Sequence, residues 1–266
     1  IGLKGPPGIG KTLIVKEGLS YAIGRPCVYI QLGGLRSPEE LTGFSSTFVG
    51  AQPGRIVKGL QDSKCMNPIF LFDELDKVCH DEHGKGVMGV LTHMTDKTQN
   101  DVFEDEYFAS IDFDISKCLF VFTFNDIELV DPILKDRMVV IDLKGFDTKQ
   151  KIIIGKKYSL VKIMKDIGLS SDDVIVTDEI LEYIIQQHTG SEEGVRTMER
   201  ILHQILSRVN VLKFITQSTK HSIDDLDLPF ELKKKITFPL TLDRELIDIL
   251  RNDSKLDTEK WHSLYM

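Results

Sequence analysis

Eight residues near the start of the chain, Gly5-Pro6-Pro7-Gly8-Ile9-Gly10-Lys11-Thr12, carry the clearest chemistry. They match G-x-x-x-x-G-K-[ST], the spacing of a loop that wraps phosphate groups. The glycines let the backbone bend tightly and turn several N–H groups toward one anion. The helix expected to begin near Gly10 points the positive end of its dipole at the same place. Lys11 supplies a mobile point charge for β- and γ-phosphates, and Thr12 supplies a hydroxyl for Mg²⁺. The bound species implied is ATP with Mg²⁺, and all eight residues are candidates for its cradle.

Two further groups fit the same chemistry. Ile69-Phe70-Leu71-Phe72 is an apolar run that ends in Asp73-Glu74. An acidic pair closing a strand is common by itself. Downstream of a phosphate loop it reads as the hydrolytic half of the site. Asp73 would hold the Mg²⁺ shell with Thr12, and Glu74 would orient and polarise the attacking water. The next apolar run, Cys118 to Phe124, ends at Asn125, whose amide can hold that water against the γ-phosphate. Arg137 and Arg196 are ordinary surface arginines when taken singly. Cys79, His80, Asp81 and His83 lack the second ligand pair of a zinc site, so no metal is expected there.

These residues need elements to hold them. Thr12 to Ile23 has helical spacing through Leu13, Val15, Leu19 and Ala22, and Gly24-Arg25-Pro26 ends it. Cys27 to Leu32 reads as a buried strand. Ser37-Pro38-Glu39-Glu40 reads as a helix start with Ser37 as its cap. Phe44 to Gly54 reads as a glycine-flanked loop, and Arg55 to Lys64 and Gly84 to Met94 as helices. The stretch 96–109 is polar and loop-like. Leu134 to Arg137 closes a short helix, and Met138 to Leu143 is a last strand. Apolar strands alternating with helices predict a parallel sheet covered on both faces, with ligands at the carboxyl ends of the strands. Strand runs nearly vanish beyond Gly145. Helices are expected over 147–165, 178–188, 195–214 and 243–250, a short strand at 174–176, and a loop at 217–228. The expected organisation is an α/β nucleotide-binding domain over 1–144, a helical domain over 145–230, and a C-terminal extension over 231–266.

Composition narrows the partners. The 266 residues carry a net charge of −8, a poor match to a nucleic-acid surface, which needs clustered Lys and Arg. Four scattered cysteines point to a reducing compartment, the cytoplasm or another intracellular one. No apolar run approaches the roughly 18 residues of a membrane span, and neither a span nor a signal peptide is expected. The chain starts at Ile1, inside the run that feeds the phosphate loop, so a segment upstream is expected.

The ordered set of motifs resembles the AAA+ ATPases, and more narrowly the ATPase module of Lon-type proteases. The shared stretches are Gly5 to Thr12, Leu32-Gly33-Gly34 with Arg36, Gly43, Val49-Gly50-Ala51 with Pro53-Gly54-Arg55-Ile56, Asn67 to Leu71 with Asp73-Glu74, Asp76-Lys77, Asp136-Arg137-Met138 and Glu193-Gly194-Val195-Arg196. They spread over residues 1 to about 215 and are specific as a set. The resemblance implies a hexameric ring of identical chains that pulls unfolded polypeptide through its pore. It implies that Arg137 is the finger arginine that reaches a neighbour's γ-phosphate. Arg196 would be the lid arginine that senses nucleotide in its own subunit. Phe48, with Val49 beside it, would be the pore-loop aromatic, against a bland reading as core.

There are departures from the pattern. Ser45 and Ser46 stand where basic residues usually precede the pore aromatic, and Phe124 replaces a smaller residue before Asn125. Nothing after about residue 230 resembles the family's protease domain, so no peptidase activity is expected of this chain, and a separate protease chain is a candidate partner. The upstream segment that contacts adenine in the family is not in this sequence. The rival readings are a motor acting on nucleic acid, a nucleotide-gated scaffold that turns over little, and a small-molecule kinase. The absence of basic residues before Phe48 weighs against the first. Intact Glu74, Asn125 and Arg137 weigh against the second. The Asp73-Glu74 pair and a finger arginine lent by a neighbour weigh against the third.

Overall fold

The computed structural model describes residues 1–78, 81–217 and 236–251. Its contacts divide the chain into two units, Ile1–Gly145 and the residues from Phe146 onward.

The first unit begins with β1, Gly2–Lys4. Helix α1 follows as Lys11–Leu13, a wider π segment Ile14–Leu19, and Ser20–Ile23. Then come β2 (Cys27–Gln31), α2 (Glu39–Thr42), α3 (Arg55–Ser63) and β3 (Ile69–Asp73). Helix α4 is Glu82–Thr95, capped by Asp81, whose side chain accepts from Gly84 N. A small hairpin pairs β4 (Phe103–Glu104) with β5 (Asp112–Phe113). Strand β6 is Leu119–Phe124, α5 is Pro132–Asp136 and β7 is Val140–Asp142.

Five strands form one parallel sheet in the order β2-β3-β6-β1-β7. The period of two along each strand sends alternate side chains to opposite faces. Leu3, Ile69, Leu71 and Val121 pack with Val15 of α1 on one face. Phe70, Phe72, Phe122 and Phe124 pack with Ile56 and Leu60 of α3, Leu91 of α4 and Leu134 of α5 on the other. Phe72 and Phe122 stack with ring centroids 5.1 Å apart. At about 25 cal/mol per Å² of apolar area, these aromatics are among the largest single contributions to the unit's core. This is the doubly covered α/β sheet expected from the strand pattern.

Three local readings need correction. Helix α1 does not bury its whole predicted stripe: Val15 is buried but Leu13 is 56% exposed. Leu13 precedes the π segment and lies two residues, about 200° of helical turn, from Val15, so the two cannot share one face. Strand β2 is an edge strand rather than a buried one, which leaves Tyr29 and Gln31 partly in solvent. The polar stretch 96–109 is not simply a loop. It contains β4 and a 3₁₀ turn, Glu106–Phe108, gathered around Phe103, Phe108 and Phe113.

The second unit is mostly helical. Helix α6 runs as Thr148–Ile154, a π segment Gly155–Ser159 and Leu160–Ile167. Asp147 and Gln150 close a capping box at its start. Strand β8 (Val174–Ile175), α7 (Asp178–His188) and α8 (Arg196–Gln217) follow. Beyond them, β9 (Leu240–Thr241) pairs parallel with β8, and α9 is Arg244–Arg251. Ile236, Leu240, Leu242, Ile247 and Leu250 are buried in the same core as Leu181, Leu202 and Leu206. Residues 236–251, expected as part of an extension, are therefore integral to the helical unit. The rest of 231–266, and 218–228 of the expected loop, lie outside the described residues, as do Cys79 and His80.

Candidate active site

The phosphate loop leaves β1 at Lys4 and enters α1 at Lys11. Gly8 and Gly10 take φ of +78° and +85°, a region that favours glycine, and Gly10 caps the helix. A Cβ on Gly5 would lie 2.5 Å from Leu143 O and 2.7 Å from Ile9 Cδ1, so the loop's first turn also requires glycine.

Lys11 is buried and donates to three acceptors: Gly5 O at 2.5 Å, Pro6 O at 3.0 Å and Asn125 Oδ1 at 2.8 Å. Desolvation lowers its pKa, while the charges of Asp76 and Asp73 pull it back up. Thr12 donates its hydroxyl to Asp73 Oδ2 at 3.0 Å. The loop after β1 and the ends of β3 and β6 thus bring two bonded pairs, Lys11 with Asn125 and Thr12 with Asp73, to one end of the sheet, and the charge of Asp73 is felt at Lys11.

Glu74 follows Asp73 in a left-handed turn, φ +61°. Its amide donates to Thr123 Oγ1 at 3.4 Å, and its Oε2 accepts from Gln31 Nε2 at 2.9 Å. Gly33 packs beside that carboxylate, because Leu32 N donates to Asp73 O and draws the end of β2 onto β3.

Several members of this site carry no local motif. Asp73 accepts from Thr12 and Tyr29 at Oδ2 and from buried Thr123 at Oδ1. Burial, and then the negative charge of Asp73, push the Tyr29 phenol up to about 12, and Lys16 sits 3.6 Å over its ring. Asp76 is buried. Its Oδ2 accepts from the amides of Asn125 and Asp126 at 3.1 and 3.4 Å, which turns the end of β6 toward Lys11. Register brings these residues in: Gln31 lies opposite Asp73, and Leu3 opposite Thr123. The available signals were a third acid after Asp73-Glu74 and a threonine inside an apolar strand.

Thr12 and Asp73 offer a hydroxyl and a carboxylate oxygen, hard donors suited to Mg²⁺. Two protein oxygens do not make a cage. Mg²⁺ fits such a site because it keeps waters and substrate phosphates among its ligands.

The remaining candidates lie elsewhere. Arg137 caps the end of α5 and is held on α4, donating to Thr92 O at 2.8 Å and pairing with Asp96 Oδ2 at 3.0 Å. Phe48 is 68% exposed and Val49 fully so, at the tip of the loop between Gly43 and Gly54. Arg196 opens α8 in the second unit and is exposed.

Comparison with known proteins accounts for this arrangement. The chain is 40% identical over 215 residues to a Lon protease homolog of Acanthamoeba polyphaga mimivirus, covering 80% of this chain and 21% of that protein. It is 41% identical over 221 residues to the Lon protease of Clostridioides difficile (strain 630), covering 83% of this chain and 27% of that protein. The chain therefore spans about a quarter of the length of these curated relatives. Among solved structures, a closed-state cryo-EM reconstruction of Hsp104 with ATPγS and FITC casein shares the fold, with a TM-score of 0.60 at 17% identity over 80% of this chain and 41% of that one. The model for the ATPase family associated with various cellular activities (AAA) matches residues 1–145, the whole of the first unit. The chain is an ATPase module that resembles part of the Lon proteases, and it belongs to the AAA family.

Proposed function

We propose that this module hydrolyses Mg·ATP at sites shared between neighbouring copies in a ring and uses the energy to draw unfolded polypeptide through the ring's pore. The observation that carries this is the arrangement at the strand ends. Lys11 is bonded to Asn125 and Thr12 to Asp73 there, Glu74 follows Asp73, and the first unit also presents an exposed aromatic loop. Lys11 and the loop amides bind the β- and γ-phosphates. Thr12 and Asp73 hold Mg²⁺, which supplies charge neutralisation on the phosphate oxygens. Glu74 takes the proton of the attacking water, and Gln31 sets where that carboxylate points. Asn125 orients the same water. Arg137 of the next copy meets the γ-phosphate, and Arg196 reports the nucleotide to the helical unit, which acts as a lid. Two lid positions biased by the two nucleotide states convert turnover into movement of Phe48 and Val49. The ring is a homo-hexamer on this reading.

Turnover per subunit, measured against protein concentration, tests the reading. A finger lent in trans is worth on the order of 10³ in rate. Turnover should climb steeply as copies assemble, and added unfolded polypeptide should raise it further. Turnover independent of concentration would remove the shared site, and turnover indifferent to polypeptide would remove the pore function.

A further inference from the structure

The loop that carries Phe48 and Val49 is closed at its base by a carboxylate from another part of the chain. Its neck is backbone against backbone. A Cβ on Gly54 would lie 2.0 Å from Leu41 O and 2.5 Å from Gly43 N. Gly43, at φ +86°, has room for none either: a Cβ there would lie 2.9 Å from Gly54 N and 2.6 Å from Asp105 Oδ1. Asp105 stands 51 residues from Gly54 in sequence and is 1% exposed. Its Oδ2 accepts from Gly54 N at 2.8 Å and its Oδ1 from Tyr107 N at 3.0 Å.

A carboxylate stripped of water is costly unless hydrogen bonds meet its charge. Among the described residues no cation pairs with Asp105, so its two amide donors, at the start of α3 and of the 3₁₀ turn, carry that task. Bonds from N–H to an ionised oxygen are about twice as strong as neutral ones. The bond to Tyr107 N is local and would exist in any turn of this type. The bond to Gly54 N is not local. It ties the loop's neck, and the first turn of α3, to the hairpin of β4 and β5.

We propose that Asp105 is a positioning residue for polypeptide engagement: it clasps the neck of the 43–54 loop to the 103–113 hairpin, so that Phe48 and Val49 are presented from a rigid base. The proposal rests on reading that loop as the polypeptide contact. Without the clasp the tip would sample many orientations, and each binding event would have to order it again.

Asp105→Asn is the direct test, since Asn keeps the shape but turns an NH₂ donor toward one of the two amides. Fluorescence anisotropy with fluorescein-labelled casein in the presence of ATPγS reads engagement, and a fluorescent ATP analogue reads the nucleotide site. Asp105→Asn should weaken casein binding about tenfold, approaching Phe48→Ala, with ATP-analogue affinity held within about twofold. Asp112→Asn, an exposed acid on the same hairpin, should bind casein as the parent does. Normal casein binding by Asp105→Asn beside a defective Phe48→Ala overturns the clasp and leaves the loop reading intact. Normal binding by both overturns the loop reading and the clasp with it. If Asp105→Asn also loses the ATP analogue, hydrogen exchange on the unaltered chain decides. The Gly54 and Tyr107 amides should then be protected to a similar degree, and a rapidly exchanging Gly54 amide overturns the clasp.

Discussion

A single methyl group at Gly33 should separate binding from turnover. Gly33 has no left-handed φ, so alanine fits the backbone there. Its Cβ would lie 2.9 Å from Glu74 Oε2, 3.0 Å from Lys77 Cβ and 3.6 Å from Glu74 Cβ. Oε2 is the free end of a flexible side chain. It must retreat by about 0.5 Å to reach the 3.4 Å of ordinary contact, which also strains the 2.9 Å bond from Gln31. A 1 Å misplacement of a reacting group costs about 10²-fold, so half of that distance costs about tenfold, or about 1.4 kcal/mol of barrier. Stability should hardly change. Gly→Ala contributes about 0.4–1 kcal/mol through the unfolded chain, and moving the carboxylate end, together with a shift of about 0.4 Å at Lys77 Cβ, costs about the same. Gly34→Ala is the control, because a Cβ there meets nothing within 4 Å. The assay is single-turnover ATP hydrolysis at fixed protein concentration, with equilibrium binding of a fluorescent ATP analogue and a thermal melt alongside. Gly33→Ala should lose about tenfold in rate at unchanged affinity, with Tm moved by no more than about 3 °C. A rate equal to that of Gly34→Ala would refute the placement of Glu74 at the reacting water. A loss of affinity would show that the turn, not the carboxylate, had been disturbed.

Other outcomes follow from the same geometry. Glu74→Gln should bind the ATP analogue normally and lose at least about 10² in turnover. Arg137→Ala should lose on the order of 10³. An equimolar mixture of the two variants should recover turnover that neither shows alone, since some sites then join an intact Glu74 to an intact Arg137. No recovery would place both residues in one self-contained site. The Tyr29 phenol binds its proton more tightly in the folded chain than in the unfolded one. That contribution is complete below pH 10 and is lost as pH rises toward about 12, so stability should fall across that window. Tyr29→Phe should flatten that slope in urea titrations, and an unchanged slope would show that burial and Asp73 do not raise this phenol. Ile247→Ala removes a fully buried side chain from α9 and should cost about 2–5 kcal/mol in urea unfolding followed by helical circular dichroism. A negligible change would detach residues 236–251 from the helical core.

Sequence carried the site where its members end apolar runs. Asp73 and Asn125 each stand at such an end, and Lys11 and Thr12 close the glycine loop that follows β1, so a parallel sheet brings all four to one end. Tyr29 and Gln31 were invisible because strand register, not spacing along the chain, sets them opposite Asp73 and its neighbours. Thr123 looked like one residue of a buried strand, although a buried hydroxyl needs a partner and the two carboxylates were the obvious ones. Asp105 is one acid among several between Asp101 and Asp114, and only burial distinguishes it. Leu13 was misplaced because it stands two residues from Val15, on the opposite side of the helix. The role of 236–251 was hidden for a different reason. Its apolar residues have helical spacing, but the core they complete belongs to helices that end at Gln217.

Lys11 has three ammonium hydrogens and three internal acceptors. Phosphate binding at this lysine is therefore a substitution, not an addition. Each new N–H···O–P contact displaces a bond the chain already makes, and the net affinity is the difference between the two. One of the three acceptors is Asn125 Oδ1. A phosphate that took that bond would release the Asn125 amide in the same exchange. On the function proposed above, the group that orients water would be set free only when the lysine has something better to hold, and this conditional logic would need no hinge, lid or second subunit to operate.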